Sequence, residues 1–221
     1  MYILNLDIET NQLEETKAFY TEVLDFDIIE ETKESFAVQA GETILTFKEV
    51  DNPVNVYHFA FNIPSNQIEG ALIWSREHVD LIENVEGNVV THFEAWKAKS
   101  IYFTDNNGNI LEFIAREDIL LSLNGPFDPV QITCISEIGV VVKQPMVVAE
   151  KLIEEYSLSY FKKAEPTEQF LALGDDQGLI IMVTPDRNWY PTNIPAKFTN
   201  SEMIVENNEM MISLKSKDLY Y

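Results

Sequence analysis

Residues 103–116 read FTDNNGNILEFIAR, a strand end, a turn and a second strand. The turn, Asp105-Asn106-Asn107-Gly108-Asn109, is built from residue types that tolerate positive φ and bond their own backbone. The strand after it carries Ile110-Leu111-Glu112-Phe113. Earlier in the chain, Ile44-Leu45-Thr46-Phe47 differs from that string at one position. Two strands this alike, each followed by a break, point to an internal repeat.

Working outward from them, the repeat becomes a β-α-β-β-β unit. A strand over 2–9 opens the first, and Asn11 and Glu14 read as N-cap and N3 of a helix. Leu13, Phe19, Tyr20, Val23 and Leu24 supply its apolar stripe, and strand-like runs follow at 26–31, 35–39 and 43–49. The second opens at VYHFAFNIP (56–64), repeats the helix signal at Asn66 and Glu69, passes a loose polar stretch at 80–97, and closes with SIYFTD and NILEFIAR. The third opens at ITCISEIGVVVK (132–143), with Pro145 at a first helical position. Strands are expected near 159–163, 168–173 and 179–184. A short fourth has strands near 198–205 and 209–215. NGPFDP (124–129) and WYPTNIP (189–195) read as linkers. The expected organisation is unit one at 1–52, unit two at 53–117, unit three at 131–186 and unit four at 196–221. The fold class is α+β, with βαβββ units paired into curled mixed sheets.

The 221 residues carry 37 acids against 15 bases, a formal charge of −22. Nucleic-acid backbones and anionic lipid are thereby excluded as partners, since both select Lys and Arg. No apolar run is long enough for a membrane span, and the N-terminus lacks the features of a signal peptide. The single cysteine, Cys134, fits a reducing, cytoplasmic location. Pairing of four units within one chain makes a monomer feasible.

Side chains two apart on a strand share a face, so opening and closing strands converge on a cup. Aligning the units on their helices places Asn5, His58 and Glu137 at equivalent opening positions. The closing positions are Thr46, Glu112 and either Ile181 or Met182. Units one and two together offer few metal ligands. Units two and three offer His58, Glu112 and Glu137, one imidazole and two carboxylates, enough for a facial triad on a divalent cation. The expectation is therefore that units two and three form the metal cup and that units one and four form a scaffold pair. An apolar strand around Glu137 makes an unpaired carboxylate costly and favours a compensating cation. Trp96, Tyr102, Phe103 and His92 are candidate substrate contacts, although at most one of Tyr102 and Phe103 can face the cup. No general acid or base is assigned. Trp189 and Tyr190 suit a lid or a packing role equally. Cys134 reads as a structural thiol, since no base is placed beside it.

LEETKAFYTEVLDF (13–26), YHFAF (57–61) and FTDNNGNILEFIAR (103–116) resemble the vicinal oxygen chelate superfamily, which includes glyoxalase I, bleomycin-resistance proteins and extradiol dioxygenases. The resemblance covers residues 1–116 and, more weakly, 132–185. It implies a metal held on the opening and closing strands of paired units, places that His58 and Glu112 match. Usual members carry His where this chain has Asn5 and Glu137. That departure resembles the toxoflavin-degrading lyases of the superfamily, which have permuted units and a one-His, two-carboxylate site. What it implies is oxygen-requiring breakdown of a small planar heterocycle, the azapteridine toxoflavin, with Mn(II) or alternatively Fe(II). Glyoxalase-like isomerisation and metal-free ligand sequestration are the other activities that the superfamily implies.

Overall fold

The computed structural model describes residues 1–220. The strands gather into two sheets. The first contains β1 (Tyr2–Thr10), β2 (Ile28–Glu31), β3 (Ser35–Ala40) and β4 (Thr43–Glu49), with β13 (Ser201–Asn207) and β14 (Met210–Lys215), in the order β14-β13-β1-β4-β3-β2. The second contains β5 (His58–Ile63), β6 (Asp80–Ile82), β8 (Ala98–Thr104), β9 (Ile110–Arg116), β10 (Cys134–Val141), β11 (Phe170–Asp175) and β12 (Gly178–Val183), in the order β11-β12-β10-β5-β9-β8-β6. A short β7 (Val90–Phe93) also pairs with β8. Strands from 1–52 and 196–221 thus share one sheet, and strands from 53–117 and 131–186 share the other.

Within each sheet the opening and closing strands are parallel: β1 with β4, β5 with β9, β10 with β12. Opening strands of different units meet antiparallel, β5 against β10 and β1 against β13. The second sheet is buried on both faces, so β5, β9 and β10 have no exposed positions. Phe59, Phe61, Phe113 and Ile138 enter a core shared with Ile3, Leu6 and Phe47 of the first sheet. The alternate positions lie on the opposite face, which carries the cup.

Helices α1 (Leu13–Ala18), α2 (Ile68–His78) and α3 (Pro145–Tyr156) each bury one face, through Leu13 and Thr16, through Ile68, Ala71 and Ser75, and through Val148, Ala149 and Leu152. Ile73 of α2 is exposed, and α1 runs into a wider π-type turn over Phe19–Val23. A short α4 (Ser216–Leu219) follows β14. Pro145 stands at the helix start, as its fixed φ favours. The N-caps differ from expectation: Gln12 and Gln67 precede α1 and α2 and make no capping bond. Asn66 is drawn instead to Leu123 of the following connection. Segment 159–163 makes one bridge, Tyr160 to Leu173, and not a strand. The stretch 80–97 contains two short edge strands, β6 and β7.

The 105–109 turn is an anchor. Buried Asp105 accepts from the Tyr20 hydroxyl at 2.9 Å and from the backbone N–H groups of Asn107 and Asn109 at 2.8 and 2.9 Å. Asn109 Oδ1 in turn accepts from the Tyr57 N–H at 2.9 Å. The turn therefore fixes β9 against β5 one residue before His58.

Candidate metal centre and substrate cavity

Register builds the floor of the site. Parallel pairing sets Glu112 beside Ala60, and antiparallel pairing sets Glu137 on its other side. Glu137 reaches that row because Ser136 is an extra residue in β10: the register steps from Ile135↔Phe61 to Glu137↔Ala60. Such a bulge re-aims the side chain that follows it. Tyr102 joins the same row through β8. His58 lies two residues before Ala60, hence on the same face, and the small side chain of Ala60 leaves the centre of the row open. His58, Glu112 and Glu137 are 7%, 2% and 3% exposed, and each presents a ligand atom within 4.8 Å of the other two. Among the described residues this is the one such cluster.

His58 Nδ1 lies 3.0 Å from the Ile110 carbonyl oxygen, which can only accept. Nδ1 therefore carries the proton, and Nε2, 3.8 Å from Glu112 Oε2, keeps its lone pair. Burial pushes the imidazole down to about 4, so it is neutral at pH 7. Burial, and then the charge of Glu137, push Glu112 up to about 8, with Ser100, Tyr102 and Arg116 opposing. Burial also raises Glu137, and Arg116 works against that rise.

Arg116 was not among the residues expected at the site. It is 1% exposed, ion-paired with Glu137 through Nη2, and hydrogen-bonded from Nε to Asn62 Oδ1 at 3.1 Å. A ladder of alternating charge runs outward from it: Asp176 at 3.4 Å, then Lys163 at 2.7 Å, then Asp118 at 2.9 Å, then Lys97 at 3.1 Å. The cation that the burial of Glu137 demanded is thus already in the chain. Its signal was present in the sequence: Arg116 is four residues after Glu112 on one strand and so shares its face.

The donor set fits a hard or borderline divalent cation. Metal–ligand bonds of about 2.0–2.2 Å place neighbouring ligand atoms roughly 3–4 Å apart, which small side-chain rotations reach from this spacing. Once Glu112 gives up its proton, two carboxylates against one arginine leave one negative charge to neutralise, and mixed imidazole and carboxylate donors suit Mn(II) or Fe(II).

Above the floor is a cavity of about 210 Å³. Trp96 and Tyr102 line it, together with Phe93, Trp189 and Tyr190. Two of the expected contacts lie elsewhere. Phe103, the strand neighbour of Tyr102, faces the core and packs on Phe113 at 4.6 Å. His92, on β7, alternates with buried Thr91 and points outward, away from the cavity. Asn5 and Thr46 belong to the first sheet, where Asp7 and Glu202 are taken up by Lys48 and Lys215 at 2.7 and 2.8 Å. Cys134 is buried, with its thiol pushed up to about 11 by desolvation and no base beside it.

Trp189 and Tyr190 come from a strap over 184–196 that folds back on itself through bonds from Asp186 N–H to Ala196 O and from Trp189 N–H to Ile194 O, at 2.8 and 2.9 Å. Trp189 lies 5.5 Å from the His58 ring and packs on Gly139 of β10, where an added Cβ would stand 2.5 Å from Cη2. Gly139→Ala should therefore lift the strap, with a cost of about 1–3 kcal/mol in stability. Thermal melts and quenching of Trp189 fluorescence by acrylamide will report both effects. Unchanged quenching would mean that the strap is not seated on this glycine.

The family model for the Glyoxalase/Bleomycin resistance protein/Dioxygenase superfamily matches residues 3–113, half of the chain. No curated protein matches in sequence. Among solved structures, a candidate dioxygenase from Bacillus subtilis subsp. subtilis str. 168 superposes with a TM-score of 0.61 at 17% identity, over 83% of this chain and 63% of its own. A glyoxalase I variant from Zea mays gives 0.54 at 13% identity, over 83% of this chain and 68% of its own. At these identities the likeness is one of fold. The chain spans less than two thirds of the length of the Bacillus subtilis structure.

Proposed function

The chain belongs to the glyoxalase/bleomycin resistance protein/dioxygenase superfamily, and on that footing we propose a metal-dependent, oxygen-requiring enzyme that degrades a small planar heterocycle. The observation that carries this reading is the convergence of His58, Glu112 and Glu137 on the floor of an aromatic cavity. These three would hold Mn(II), or Fe(II) in its place. When bound, the cation would supply Lewis acidity and a chelation point for neighbouring heteroatoms of the substrate.

The residues of the chain do the rest. Ile110 holds the His58 ring through Nδ1, so that Nε2 would be free to hold the ion. Arg116 orients Glu137 from behind. Trp96, Tyr102 and Trp189 offer flat apolar faces to a ring, and the strap excludes water. At about 210 Å³ the cavity is below the usual drug-sized range, so the substrate is of one or two rings. Toxoflavin is the proposed substrate, supported by the ligand set of one His and two carboxylates.

The test is to incubate the full chain with toxoflavin and Mn(II) in air. Loss of toxoflavin should be matched by oxygen uptake, and EDTA or anaerobic conditions should stop both. Turnover without oxygen uptake would move the protein to glyoxalase-like isomerisation. One observation favours a second reading, a metal-free sequestering protein: Arg116 already neutralises Glu137, and a Glu112 held near 8 is largely protonated at pH 7. That reading requires tight binding without metal and recovery of unchanged ligand.

A further inference from the structure

The strap that roofs the cavity brings an arginine with it. Arg187 lines the cavity, and its backbone is fixed by the bond from the Ala196 N–H to its carbonyl at 2.8 Å. Its guanidinium lies over the Phe170 ring at 5.0 Å and donates one long bond, 3.4 Å, to the Asn188 carbonyl. Among the described residues no carboxylate pairs with it. In a chain with 37 acids and 15 bases this is unusual, and the neighbouring cations Arg116 and Lys163 are both ion-paired. Desolvation lowers its pKa with no anion opposing that, the mark of a partly buried charge without a counterion. The floor, by contrast, offers acceptors: two carboxylates and the Nε2 lone pair of His58.

We propose that Arg187 is an anion-receiving end of the cavity, so that the site also takes small planar molecules bearing a carboxylate or a comparable anionic group. The placement follows from charge. In the metal-free chain Glu137 is already matched by Arg116, whereas the Arg187 guanidinium has no anion of its own, so an anionic group goes to Arg187 and the neutral edge of the ligand faces the floor. The class rests on the reading of this cavity as the substrate site and extends it beyond toxoflavin, which is neutral.

The experiment is calorimetric titration of the full chain, metal-free and Mn(II)-loaded, with nicotinate and nicotinamide. These are flat heterocycles of one shape that differ in charge. Nicotinate should bind about tenfold tighter or more, as expected for a hydrogen-bonded charge pair. Arg187→Gln should erase that preference, leaving nicotinamide affinity and the melting temperature unchanged, and Arg187→Lys should retain part of it. In the metal-free titration, equal affinities, no saturable binding of nicotinate, or a preference that survives Arg187→Gln overturns the assignment. Mn(II) affinity, followed by electron paramagnetic resonance, should be unaffected by Arg187→Gln. A wild-type chain that takes up no Mn(II) would sink the metal reading alone, because the metal-free titration still reports on Arg187.

Discussion

Metal-free Arg116→Leu will melt about 10 °C or more below the wild type, and Mn(II) will restore much of the loss. The guanidinium is buried and touches Glu137, Asn62 and Asp176, so leucine leaves Glu137 as an uncompensated buried acid beside Glu112. Breaking a buried pair from one side costs about 3–5 kcal/mol. A chain of this size shifts by roughly 2–4 °C per kcal/mol. A cation on the floor supplies the missing positive charge, so the rise in melting temperature on adding Mn(II) should be larger in Arg116→Leu than in the wild type. Arg116→Lys should recover only part, because an ammonium lacks the fork that reaches Asn62 and Asp176 together. Scanning calorimetry with Mn(II) and with EDTA checks both statements. A leucine variant as stable as the wild type would show that Arg116 is not what neutralises Glu137.

The second large effect belongs to Glu112→Gln, which should weaken Mn(II) binding by at least about a hundredfold and remove oxygen-dependent turnover, since the anionic ligand is lost while the shape is kept. Its dependence on pH is the sharper signature. Glu112 is raised from an ordinary 4.5 to about 8 in the folded chain. A folded-state pKa above the unfolded one means that the native state holds the proton more tightly. That stabilisation is complete below about 4.5 and is lost as pH rises through about 8. The metal-free wild type should therefore soften between pH 5 and pH 9, while Glu112→Gln should be flatter over that window. Metal must displace the same proton, so Mn(II) affinity in the wild type should climb with pH and level off above about 8. Parallel melting curves for the two metal-free proteins would refute the raised carboxyl.

The loss on Arg116→Leu could not have been foreseen from His58, Glu112 and Glu137 alone, and the reason shows how far the sequence reaches. Local information carried the repeat. The match of Ile44–Phe47 with Ile110–Phe113, the helix stripes and the alternation along β5 and β9 all depend on residues near one another in the chain. The convergence of three side chains was legible too, because strand alternation and the unit alignment place His58, Glu112 and Glu137 at matching positions. Less was legible where tertiary contacts compete with local preference. Asn11 and Asn66 have good capping chemistry but do not cap. Residues 159–163 look like a strand, yet find a single bridging partner in Leu173.

By itself the sequence determined the βαβββ period, the polar residues able to meet on one face and the acidic charge balance. Only the tertiary structure decided the rest. The extra residue at Ser136 sets where Glu137 lands, and a bulge has no period to read. Arg116 reaches Glu137 across β5, between residues 21 positions apart in the chain. The strap turns a linker into a roof through long-range packing of Trp189 on Gly139. Each of these depends on which strands become neighbours. That choice is made by burying whole faces against one another, and no single stretch of sequence encodes it.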